Sequence, residues 1–185
     1  FPASPSGPDP VPVDAMAEAL MSARRAVMIC GGGPVIAGAF EAIAAIARLL
    51  DLPVATTVSG QGAIAETDPH ALGVVGSNGG VPSTRAVIDE ADLVLFVGCR
   101  AGSVTTERWR SPKPGARILH IDSDPVVPGT NYKTEVALVA DARLALESLH
   151  AALLAKGATA RFDGMRRAAA ASVAKLAAFE PLAAS

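Results

Sequence analysis

Apolar runs of four or five residues recur along this chain, and each stops at glycine or a small polar residue. AVMIC at 26–30 runs into Gly31-Gly32-Gly33, and LVLFV at 93–97 runs into Gly98. PVATT (53–57), LGVV (72–75), RILHI (117–121) and EVALV (135–139) have the same length and β-rich make-up. Runs this short, bounded by turn residues, predict strands rather than helices. Helical spacing predicts helices over AFEAIAAIARLL (39–50), PSTRAVIDE (82–90, with proline at a first-turn position) and 142–155, where Asp141 stands at the N-cap. Residues 58–68 leave room for only a short helix, and 161–180 read as an alanine-rich helix. Strands alternating with helices predict right-handed crossovers. The expected fold class is therefore α/β: a doubly wound, six-stranded, mainly parallel sheet, Rossmann-like. Half the residues are apolar and only 4% aromatic, which suits a sheet buried on both faces.

Several function classes drop out early. A net charge of −2 offers no electrostatic footprint for nucleic acid, and no apolar run approaches the ~18 residues of a membrane span. The opening FPASPSGPDPVPVD has no basic n-region and reads as a linker rather than a signal peptide. Because Phe1 stands where a start methionine is expected, we expect a piece of a longer chain. Cys30 and Cys99 lack CxxC spacing and are expected as small buried thiols at strand ends, in a cytoplasmic protein.

In a doubly wound sheet ligands sit beyond the carboxyl ends of the strands. The glycine turn after the first strand fails the dinucleotide fingerprint: Ile36 stands where the third glycine belongs, and the second strand ends in Thr56-Thr57 with no acid. No Gly-Lys-Ser/Thr follows, so a P-loop is excluded. A tight strand-to-helix turn with no ligand stays open beside a nucleotide cradle. Arg100 and Asp122 lie just past strand ends, where a guanidinium pairs with phosphate and a carboxylate accepts from ribose; an Arg–Asp pair or a capping carboxylate is the structural alternative. Thr105, Thr106 and Trp109 belong to a long loop, the threonine hydroxyls suited either to phosphate or to capping a helix. His70 and His150 are expected at the surface, and His120 on its strand faces either a helix or the crevice. No Ser/His/Asp grouping can be assembled.

RRAVMICGGG, LDLPVATTVSGQGAIAETDPHALGVVGSNG, ADLVLFVGCR, ARILHIDSDP and VALVADARLALESL occur in that order over residues 10–155. This ordered set resembles the central domain of thiamine diphosphate-dependent enzymes, the acetolactate synthase and pyruvate oxidase group. The resemblance implies residues 1–13 as a linker from a preceding domain, 14–156 as the central nucleotide-binding-like domain, and 157–185 as a helical connector onward. In relatives that bind a nucleotide here, FAD or ADP lies across the strand ends. Carried over, its contacts are Gly31, Gly32, Gly33, Thr57, Gly76, Ser77, Gly98, Arg100, Asp122, Ser123, Asp141 and Ala142. One departure matters: the flavin-binding synthases continue the G-x-R with an Asp-Asp-Arg-type segment, whereas this chain has Ala101-Gly102-Ser103. FAD, an ADP- or CoA-type nucleotide, and an empty scaffold all stay open.

The resemblance also implies that thiamine diphosphate and Mg²⁺ belong only to the full-length parent. They would sit between two other domains, one supplying a glutamate and the other a G-D-G…N motif. Phe162-Asp163-Gly164 lacks the first glycine of that motif, and Glu41 and Glu66 lie in central-domain segments. We therefore expect no catalytic residue and no metal ligand in this chain. Its partners would be the other domains of the parent, a homodimer or tetramer. The alternative is a stand-alone FAD redox module resembling an electron-transfer flavoprotein domain. A sirtuin-type deacylase would need a zinc ribbon that two cysteines cannot build.

Overall fold

The computed structural model describes residues 4–183; the outermost residues of the expected linker and connector lie outside them. Six strands form one sheet in the order β3-β2-β1-β4-β5-β6, and every neighbouring pair is parallel. They are β1 (Ala26–Cys30), β2 (Val54–Thr56), β3 (Ala71–Val74), β4 (Leu93–Val97), β5 (Arg117–Asp122) and β6 (Val136–Val139). The expected doubly wound α/β sheet is thus present, and its carboxyl ends share one rim. The strand order reverses between β1 and β4, so the crevice expected to hold a ligand opens there.

Both central strands are buried along their whole length, and a period of two divides their side chains between two cores. Met28, Cys30, Leu93, Leu95 and Val97 join the larger core, under α1 (Pro10–Ser22), α3 (Phe40–Leu50) and α5 (Ala142–Ala155). Val27, Ile29, Val94 and Phe96 join the smaller one, on the face covered by α4 (Pro82–Asp89) and α6 (Gly164–Ala183). Each such large apolar side chain contributes about 1.5–3 kcal/mol by leaving water. A six-residue helix, α2 (Gly32–Ala37), follows the glycine turn directly and ends at Gly38 in the left-handed region. The expected short helix after β2 is a single 3-10 turn, Val58–Gly60.

α1 has no counterpart among the expected helices, and its first turn takes the last four residues of the expected linker. The prolines that signal a linker are tolerated here because first-turn amides need no intrahelical acceptor. Pro10 is the first helical residue, and the Asp9 side chain accepts from Val11 N at 2.9 Å. Val13, Met16, Ala17 and Leu20 are buried at helical spacing, a stripe legible in the sequence but masked by the prolines. α3 and α5 match their expected spans to within a residue, and Asp141 caps α5 by accepting from Arg143 N and Leu144 N. At the sheet edge the β2–β3 register slips between Val54 and Ala55, where Gly73 turns to φ +88°.

Of the two surface expectations, the one for His70 needs correction, whereas His150 keeps partial exposure. His70 is buried, its Nδ1 3.0 Å from Asp68 Oδ1 and its Nε2 3.2 Å from Asp51 Oδ1. His150 is half-buried on α5. His70 belongs to a joint: Asp51 Oδ1 also accepts from Met165 N, and Asp51 O from Gly164 N, so one residue ties the end of α3 to the first turn of α6.

Candidate functional site

The carboxyl rim is laced strand to strand by main-chain bonds. Gly31 N donates to Val97 O at 2.8 Å, Gly33 N to Gly98 O at 3.2 Å, Gly98 N to Ile121 O at 2.7 Å and Thr57 N to Cys30 O at 2.9 Å. The glycines permit this closeness. A Cβ on Gly31 would lie 2.1 Å from Gly98 O, and one on Gly33 would lie 2.7 Å from Gly98 Cα. Gly32 faces Ser59 instead. Gly31 and Gly33 therefore spend their amides on carbonyls, and the turn closes the switch point rather than presenting a ring of N–H donors to phosphate.

Beyond this closure lies a groove of about 350 Å³. Gly33, Gly98, Arg100, Asp122, Ser123, Asp141 and Ala142 line it together. Gly31, Gly32, Thr57, Gly76 and Ser77 lie outside that lining. Thr57 is buried beside the end of β1, while Gly76 and Ser77 pack on the loop after β4, where Ser77 N donates to Val104 O at 2.8 Å. Ile36, Ala37, Asp124 and Val127 also line the groove, and sequence reasoning missed all four. Ile36 is 90% exposed, an apolar residue with no core to enter. Its position as the misfit in the glycine fingerprint was the available signal.

The groove's carboxylates share one geometry. Asp122 Oδ1 accepts from Asp124 N, Asp124 Oδ1 from Val126 N, and Asp141 Oδ1 from Arg143 N and Leu144 N. Each acid thus braces a turn or helix start with one oxygen and keeps the other for a hydroxyl or a cation. Asp122 is the capping carboxylate foreseen as an alternative. Arg100 is exposed, and its carbonyl accepts from Asn131 Nδ2 at 2.9 Å, which pins the loop that carries it. Three acids against one guanidinium make a lining that accepts hydrogen bonds from ligand hydroxyls and offers a single cation to phosphate.

Neighbouring residues are structural. Thr106 Oγ1 donates to Gly102 O at 3.0 Å and accepts from Trp109 N at 3.1 Å, folding the loop onto itself. His120 Nε2 lies 2.8 Å from Cys99 O, an acceptor only, so that nitrogen carries the proton. Its ring stacks obliquely on Phe96 at 5.8 Å, beside the smaller core rather than in the groove. Burial lowers the His120 pKa against the pull of that carbonyl and of Asp122. Both thiols are buried as expected, and burial pushes each above its usual value. Among the described residues no group of three or more His, Cys, Asp or Glu is placed to hold a metal ion. No helix among them is long and apolar enough to cross a membrane.

Residues 13–149 match the family described as the thiamine pyrophosphate enzyme, central domain. The chain belongs to that family. This central domain is 37% identical over 146 residues to a probable acetolactate synthase large subunit of Methanocaldococcus jannaschii, covering 79% of the chain and 24% of the relative. It is 32% identical over 146 residues to an acetolactate synthase large subunit of Haemophilus influenzae, covering 79% and 25%. The fold is that of a stretch of benzoylformate decarboxylase from Polynucleobacter necessarius, with TM-score 0.71 and 20% identity over 89% of this chain and 30% of that one. The central domain thus spans about a quarter of the length of the curated relatives named here. The alternative of a stand-alone flavoprotein module finds no support in these matches.

Proposed function

We propose that this chain serves as the non-catalytic central domain of a thiamine diphosphate-dependent 2-keto acid decarboxylase or carboligase, and that its rim groove holds the ADP portion common to ADP and FAD. The first half rests on the family match across residues 13–149 together with the chemistry of the donor set. The residues present do not fit thiamine diphosphate and Mg²⁺. Asp163, in the sequence nearest to a diphosphate motif, instead pairs with Arg166 at 2.7 Å at the start of α6. The parent would supply the cofactor-binding domains and assemble as a homodimer or tetramer, and its buried, unpaired thiols suit the cytoplasm.

The second half rests on the three braced carboxylates. An adenosine ribose offers two hydroxyl donors to the open oxygens of Asp122 and Asp141, Arg100 faces the diphosphate, and Ile36 with Val127 gives the base an apolar wall. A groove of about 350 Å³ is near the lower limit of the roughly 300–1,000 Å³ common for ligand sites, enough for a nucleotide end but not a whole dinucleotide. Titration of the chain with ADP and with FAD should raise the melting temperature alike, by mass action, and Asp122→Asn should weaken both. No shift at millimolar nucleotide would leave a scaffold only. Turnover of pyruvate by the chain with thiamine diphosphate and Mg²⁺ would overturn the non-catalytic assignment.

A further inference from the structure

A second groove lies at the opposite, amino-terminal rim, where β1 begins between α4 and α6. It measures about 440 Å³. Of the chain's 16 lysines and arginines, five line it: Arg24, Arg25, Arg161, Arg166 and Arg167. A chain of net charge −2 thus brings five of its cations to one groove, from segments more than 130 residues apart. Among the described residues two acids line the groove beside them. Glu90 pairs with Arg25 at 3.1 Å and Asp163 with Arg166 at 2.7 Å. Arg24, Arg161 and Arg167 have no carboxylate within 4.0 Å among the described residues.

Arg167 is the informative member. Its guanidinium is half-buried and held by main-chain carbonyls: Nη1 donates to Ala26 O at 3.1 Å and Nη2 to Val87 O at 3.0 Å. Carbonyls orient this cation without neutralising it. A partly desolvated charge whose nearby carboxylates, Glu90 and Asp163, are each already paired to another arginine is costly, and an anion in the groove would offset that cost. Arg161 stands nearby with its guanidinium 5.7 Å from the Phe162 ring centroid, an exposed cation resting on an anchored aromatic. One anchored cation flanked by two exposed ones matches a compact polyanion, since guanidinium forks bind phosphate oxygens in pairs.

We propose that the groove between α4 and α6 binds a small diphosphate-bearing anion, at a site separate from the nucleotide groove on the other rim. The test is calorimetric titration of the 185-residue chain with inorganic pyrophosphate, at low and at physiological salt. Wild type should show saturable one-to-one binding that weakens as salt rises. The double variant Arg24→Glu/Arg161→Glu should lose about tenfold or more in affinity, since two charge-assisted donors are removed and replaced by repelling carboxylates. Its melting temperature should be unchanged, because both side chains are exposed; Arg24→Gln/Arg161→Gln serves if the double glutamate does not fold. Arg143→Glu, a distant charge reversal on α5, should bind as wild type. Absence of saturable heat, equal affinity in the double variant, or loss of binding in Arg100→Glu would each overturn the proposal. So would binding of an acidic peptide where pyrophosphate does not bind.

Discussion

At the scale of single residues, the rim is decided by what has no side chain. Gly31 has φ −90°, which any residue adopts, so its need for glycine comes from the 2.1 Å approach of Gly98 O to a would-be Cβ. Gly31→Ala must push two main chains apart, and overpacking of this kind costs about 1–3 kcal/mol. Urea unfolding should show the loss, while Gly102→Ala, whose Cβ meets open space, should unfold like wild type. His120 makes a second residue-scale prediction. Burial holds its folded pKa below the ordinary value of 6.5. As pH falls through 6.5 the unfolded chain takes up the proton first, so stability is full above that value and declines below it, until the lower folded value is passed. A single such group adds a slope of at most about 1.4 kcal/mol per pH unit. His120→Gln should remove that increment from the acid side of a stability–pH curve, and an unchanged curve would count against a buried neutral ring.

At the scale of elements, α6 depends on a joint rather than on its own amphipathicity. Its outer face exposes Met165, Val173, Leu176 and Phe179, so that face contributes little burial within this chain. Its first turn is fastened instead by Asp51, which accepts from Met165 N and Gly164 N while facing His70. Gly164 lies so close to Asp51 O that a Cβ would stand 2.4 Å from it. His70→Ala should leave Asp51 and Asp68 facing each other without the ring between them, at about 1–3 kcal/mol for the lost buried hydrogen bonds. Amide exchange should quicken first in residues 164–168, where the joint holds the helix. Uniform acceleration across the sheet would place His70 in the global core instead.

At the scale of the whole molecule, the parallel sheet seals both thiols between its layers. Cys30 packs in the larger core and Cys99, 6% exposed, in the smaller. Burial raises both pKa values, with Cys99 adding to the rise at Cys30, so neither offers a thiolate near neutrality. Modification by a thiol reagent should therefore proceed only through opening of the fold and speed up with urea at both positions together. Fast, denaturant-independent labelling of Cys99 would show that the loop after β4 opens separately.

Most of the architecture was legible because it is written at short range. The five-residue apolar runs of β1 and β4, the spacing of α3 and α5 and the cap at Asp141 all follow from patterns within a few residues. The miss at α1 was also local, since the prolines at 10 and 12 sit in a first turn that tolerates them. What the residues along the rims do is different. That Gly31 faces Gly98, that His70 is enclosed by Asp51 and Asp68, and that Arg24 shares a groove with Arg167 depend on which strands are neighbours and which crossovers lie on which face. Local propensity carries no record of those distances, because they come into being only when the strand order β3-β2-β1-β4-β5-β6 brings the segments side by side.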